Sequence, residues 1–169
     1  MRKKIISLLL SFVFAFLPFA MPAPAQQISR QVIVRKISVT LTSAQIKAMN
    51  VTAVQIIPAP GAGLLNVPIS GYFVYNFGTT PYVIAGGSSL QIVWNPGSPG
   101  TNPVFLSYII QSVLQSGASQ NGAAFSPSNG TRPLATIANS PVFAVLSAAA
   151  TSGDGTMTIT LYYDIIPAS

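Results

Sequence analysis

The sequence predicts an all-β fold, an antiparallel sandwich of the jelly-roll kind with one short helix near residues 43–49 and a second near 107–115. Three observations carry this. Glycine and proline, 13 and 14 of them, interrupt the chain about every ten residues, the spacing of turns in sandwiches and barrels. The runs between them are short and rich in Val, Ile, Thr, Tyr and Phe, the residues that fit a pleated, half-buried surface. Near the C-terminus Met157, Ile159, Leu161, Tyr163 and Ile165 alternate with Thr156, Thr158, Thr160 and Tyr162. That two-residue period marks a strand with one face in a core and one facing solvent.

The elements follow in order. Met1-Arg2-Lys3-Lys4, an apolar run from Ile5 to Ala20 and the Ala23-Pro24-Ala25 site read as a secretory signal peptide. A permanent anchor is the alternative. The run is about 16 residues and contains Pro18, short of the ~20 that a membrane span needs. Cleavage after Ala25 leaves Gln26 as the first residue. The domains are then a signal peptide, 1–25, and one sandwich domain, 26–169, of 144 residues. The expected location is exported: periplasmic, cell-surface or extracellular. Membrane contact comes only through the signal segment.

Residues 31–41 form a first strand. Val32 and Val34 share one parity and Ile37, Val39 and Leu41 the other, so a β-bulge is expected at Arg35-Lys36 to bring all five to one face. Residues 42–49 form a short helix, capped by Thr42 or Ser43 and ended by Asn50, with Ile46 and Met49 inward. Residues 51–57 form a strand, and Pro58 to Gly63 a loop. Residues 64–77 form a longer strand, with Val67, Ile69, Phe73, Tyr75 and Phe77 on the core face. Pro68 removes a ladder donor, so that strand starts late or lies at an edge. Two strands follow within 78–97, then a loop over 97–103. Residues 104–117 start as a strand and turn into a short helix. Residues 118–133 form the longest loop. A strand within 133–149 and the alternating final strand close the domain.

Composition limits function. Arg2, Lys3 and Lys4 leave with the signal, so Arg30, Arg35, Lys36, Lys47 and Arg132 stand against two acids, a net charge of +3. Five dispersed cations make no nucleic-acid footprint. Seven charged residues in 144 is about 5%, against ~25% in ordinary domains. Sheet proteins guard their edges with charge, and this one has almost none. The composition is that of a chain whose edges are covered by neighbouring subunits.

The chemical inventory is equally thin. There is no cysteine and no histidine, which removes thiolate metal sites, thiol catalysis and the imidazole base. The two acids, Asp154 and Asp164, lie ten residues apart along a turn and strand, about 30 Å at ~3.3 Å per residue. That is too far for paired carboxylates. Asp154 is expected to serve its own Ser-Gly-Asp-Gly turn, with a calcium ligand as the minor reading. Asp164 is expected to be a solvated or inter-subunit contact. A Ser–Lys pair would depend on Lys47. The sequons at Asn50 and Asn129 read as chance matches. No catalytic, cofactor-binding or metal-binding residue is assigned, and the chain is read as no enzyme.

Four stretches, 41–63 ("LTSAQIKAMNVTAVQIIPAPGAG"), 75–82 ("YNFGTTPY"), 139–145 ("NSPVFAV") and 151–166 ("TSGDGTMTITLYYDII"), together resemble a β-sandwich module of tailed-phage and prophage virion proteins. The resemblance spans about residues 38–166, and 97–138 matches nothing in it. It implies a decoration, fibre or tail-associated role in a homo-oligomer, often a trimer, and brings no catalytic residues. The signal segment departs from that pattern, because tailed-phage virion proteins assemble in the cytoplasm.

The expected function is a non-enzymatic, exported structural or surface-display subunit, located in a virion if phage-encoded. Its partners are copies of itself and other virion or envelope proteins. The competing reading is a secreted adhesin or glycan-binding module, which would place Tyr72 or Trp94 exposed on a shallow, loop-rimmed surface. A buried Trp94 and a flat, uncharged face would favour assembly.

Overall fold

A computed structural model describes residues 33–94, 104–122, 126–127 and 137–168. The signal segment, its cleavage site, Arg30, the 97–103 loop, Asn129 and Arg132 lie outside the described residues. The elements are β1 (Arg35–Leu41), α1 (Ser43–Ala48), β2 (Val54–Ile57), β3 (Leu64–Asn76), β4 (Tyr82–Ile84), β5 (Ser89–Trp94), β6 (Val104–Ile109), α2 (Gln111–Leu114), β7 (Gln120–Gly122), β8 (Ser126–Pro127), β9 (Val142–Leu146), β10 (Ala150–Ser152) and β11 (Thr156–Pro167).

Every described strand pairing is antiparallel. One sheet has the order β1-β11-β3-β7, a second β2-β9-β5-β6-β8, and β4 pairs with β10 in a two-stranded ribbon. The chain passes repeatedly from one large sheet to the other, as a jelly-roll-like sandwich requires. A single core lies between them. Leu41, Phe73, Tyr75, Met157, Ile159 and Leu161 come from the four-stranded sheet, and Ile56, Leu90, Ile92, Leu106, Val142 and Leu146 from the five-stranded one. Ile46 and Met49 from the α1 end and Val113 and Leu114 from α2 add to it.

α1 forms for a local reason. The Thr42 side chain accepts from the Gln45 N–H at 3.3 Å while the Gln45 side chain accepts from the Thr42 N–H at 2.9 Å, a complete capping box. Two otherwise orphaned amide groups are satisfied reciprocally. α2 begins where β6 ends, as the change of spacing in 104–117 implies.

Three expectations change. β1 contains no bulge: its register with β11 runs unbroken from Arg35↔Tyr163 to Leu41↔Met157. Ile33 and Val34 precede the strand and stay exposed, so nothing forces their parity into line. The irregularity lies instead between β11 and β3, where Tyr162 faces Ser70 and Tyr163 faces Pro68. Ile69 is the extra residue, which turns it outward (44% exposed). β3 therefore starts before Pro68, and the proline sits beside a bulge, one of the few positions a sheet gives it. Finally, the 118–133 segment is not all loop, since it contributes β7 and β8 to the two sheets.

Candidate functional site

The described residues offer three features of interest: a clasp around Asp154, a buried polar knot around Trp94, and the outer face of the four-stranded sheet.

The clasp joins two stretches far apart in sequence. Asp154 Oδ1 accepts from the N–H groups of Thr79 and Thr80, each at 2.8 Å, and Oδ2 accepts from Thr79 Oγ1 at 2.6 Å. Asp154 therefore holds the β3–β4 loop as well as bonding its own backbone. The Thr79 hydroxyl, then the Thr80 and Thr79 amides, lower its pKa to about 2. A carboxylate met by three donors serves here as a hydrogen-bond acceptor. Gly78 is required at this place, because a Cβ there would overlap the Asp154 carboxylate.

Behind the clasp lies a tyrosine pair. Tyr75 and Tyr82 are buried with ring centroids 6.2 Å apart, and the Tyr82 hydroxyl donates to the Gly155 carbonyl at 2.6 Å. Burial, then the Asp154 charge, raises the Tyr75 pKa; burial, Tyr75 and Asp154 raise that of Tyr82. Both stay neutral, as packing groups. Ser152 and Gly153 take positive φ (50° and 74°) to turn the chain over Tyr82. Lys47 reaches the Gly153 carbonyl at 3.4 Å, a structural contact.

Asp164 is neither solvated nor at the surface. It is 8% exposed, and its Oδ1 accepts from the Ile165 N–H at 2.8 Å. It stands opposite Val67 of β3, just past the bulge at Ile69. Nothing in the alternation of 156–165 signals its burial. Asp154 and Asp164 are not brought together. Among the described residues no group of three His, Cys, Asp or Glu side chains could hold a metal ion, and no helix is long and apolar enough to cross a membrane.

The second feature places one of the two candidate surface aromatics. Trp94 is buried at 7% exposure, and its indole N–H donates to the Asn66 carbonyl at 2.8 Å. Asn66 Nδ2 in turn donates to the carbonyls of Pro58 and Ser140 at 2.8 and 3.3 Å. Next to it, Asn139 Oδ1 accepts from the Gly61 N–H at 3.0 Å, with Asn139 itself at φ 54°. The loop at 58–63 is thereby tied to the start of β9. The four stretches that carry the virion-module resemblance thus join in pairs: 41–63 with 139–145 here, and 75–82 with 151–166 at the clasp.

The third feature is the outer face of the β1-β11-β3 sheet. Its rows are Thr40–Thr158–Val74, Ser38–Thr160–Tyr72 and Lys36–Tyr162–Ser70. Ser38 and Thr160 hydroxyls are 2.8 Å apart, and those of Thr40 and Thr158 2.9 Å apart. Lys36 is the one charge on these rows, 6.0 Å from the Tyr162 ring centroid. Tyr72 is 37% exposed on this face. Sequence reading found the alternation but could not pair its hydroxyls across strands.

No protein-family model and no curated protein matches the chain. Among solved structures, the capsid of Ralstonia phage GP4 aligns over 85% of this chain and 90% of its own, with a TM-score of 0.36 and 14% identity. The deformed wing virus structure, from a honeybee pathogen, aligns over 99% of this chain and 57% of its own, with a TM-score of 0.23 and 12% identity. Both scores lie below 0.5, so neither fixes the role of this chain.

Proposed function

We propose that this chain is a non-enzymatic, exported structural or surface-display subunit that works as a homo-oligomer. The carrying observation is the outer face of the β1-β11-β3 sheet, a surface with one charge on its three rows whose threonine and serine hydroxyls bond each other across strands. A face of this kind has little need of water and little charge to repel a neighbour. The buried Trp94 supports the same reading, because it takes one of the two candidate aromatics, Trp94 and Tyr72, away from the surface. The carboxylates are separate, and Asp154 is fully engaged in structure.

The test is the molar mass in solution across a wide concentration range, by sedimentation or light scattering. A multiple of the chain mass is expected; a monomer throughout would sink the reading. Sequencing the N-terminal peptide tests export separately. Material outside the cell should begin at Gln26, and an intact Met1 in purified particles would overturn export while leaving the structural role.

A further inference from the structure

We infer that β1 is the contact of a two-fold dimer, in which two copies pair their β1 edges antiparallel and each lays Ile33 and Val34 against α1 of the other. This rests on the assembly reading above and names its interface. Among the described residues β1 is the terminal strand of its sheet, with β11 on one side. Its register with β11 is unshifted over its whole length, and it contains neither proline nor glycine. A straight edge of this kind presents a row of backbone groups to a further strand. Its two charges, Arg35 and Lys36, stand together at one end, leaving Ile37 to Leu41 without any.

Two apolar features of the same region are uncovered. Ile33 and Val34, which lead into β1, are 60% and 55% exposed. Beyond the other end of β1, a groove of about 470 Å³ between α1 and β2 is lined by Ala44, Ala48, Ala53 and Val54 together with Gln45, Thr52 and Gln55. Within one chain the two cannot meet. The seven residues of β1 separate them, about 23 Å at ~3.3 Å per residue.

A second copy removes the difficulty. Antiparallel pairing of β1 with itself, centred on Ser38, brings the start of each strand, with Ile33 and Val34 just before it, to the end of the other, where Thr42 opens α1 beside Ala44 and the groove. The contact repeats twice, as two-fold symmetry demands. In the same register Lys36 faces Thr40 and Arg35 faces Leu41, so no cation faces a cation. The two four-stranded sheets become one continuous sheet.

The chain has no cysteine, so introduced thiols report alone. Directly opposed residues in an antiparallel pair have Cα atoms ~4.5–5.5 Å apart, within disulfide reach. Mild oxidation of full-chain S38C is therefore expected to give a covalent dimer. A mixture of K36C and T40C chains, whose residues are directly opposed in this register, is expected to give a mixed disulfide that neither gives alone. I33D/V34D, which alters only exposed side chains, is expected to halve the assembled mass or reduce it to a monomer, with an unchanged circular-dichroism spectrum. Failure of any of these in a chain that still assembles would overturn this interface and leave the assembly reading standing. A wild-type chain that is monomeric at every concentration would overturn both.

Discussion

Asp154 holds Thr79 by two of its atoms, accepting the backbone N–H at 2.8 Å and the hydroxyl at 2.6 Å, across 75 residues of sequence. The β3–β4 loop and the turn before β11 are thereby locked together above the Tyr75–Tyr82 pair. Asp154→Ala should lower the unfolding midpoint, since it leaves the Thr79 and Thr80 amides without their acceptor. Thr79→Val should lower it by less, because the two backbone donors survive. Gly78→Ala should act like Asp154→Ala, as its methyl would displace the carboxylate. Thermal melts of the three variants check this order, and an unaffected Gly78→Ala would count against the clasp.

The same clasp sets a pH dependence. The folded pKa of Asp154 is about 2, below its ordinary 3.8. A depressed carboxyl pKa stabilises the fold above the unfolded value and loses that contribution as pH falls through the folded one. The wild-type midpoint should therefore fall between about pH 4 and pH 2, and Asp154→Asn should flatten that part of the profile. A parallel profile for Asp154→Asn would assign the acid sensitivity elsewhere.

Trp94 is the sole tryptophan and is sealed on Asn66. Its native fluorescence should be blue-shifted and resistant to acrylamide. Trp94→Phe keeps a ring but strands the Asn66 carbonyl, at a cost of ~1–3 kcal/mol for a buried unsatisfied group. Denaturant titration measures this. A red-shifted, readily quenched native emission would contradict the buried placement.

Gly122 in β7 lies over Phe73, where any Cβ would overlap the ring. Phe73 is fixed from another side by Tyr108, edge-on at 5.1 Å. Gly122→Ala should therefore destabilise by ~1–3 kcal/mol, the range for overpacking. A neutral result in equilibrium unfolding would mean that β7 lifts away easily.

At α1, Thr42→Ala should cost ~1 kcal/mol and Thr42→Gly only a few tenths. The difference isolates the capping box from the rest of the Thr42 environment. Equal losses would show that the cap is not what holds the helix.

Some of this was legible locally. The capping box of α1 rests on residues three apart, and the alternation of 156–161 lies within one strand, so each is visible in a short window. The burial of Phe73 and Tyr75 follows from the same two-residue period. Parity in β1 can be restored on paper by one extra residue, whereas the irregularity of this sheet depends on how β3 passes Pro68 beside β11. The role of Asp154 was placed on its own turn for a similar reason. An aspartate between two glycines signals a turn, and its acceptor geometry is silent about a loop 75 residues away.

Composition and period by themselves determined that this chain is an antiparallel β protein with two short helices, poor in charge and without a catalytic inventory. Those properties depend on side-chain chemistry and on neighbours one to four residues away. Only the tertiary structure decided that Trp94 and Asp164 are buried, that Asp154 clasps Thr79, and that Ile33 and Val34 stay exposed. Each of these depends on which strands lie side by side, and pairing between distant strands is fixed by packing in three dimensions and leaves no period in the sequence.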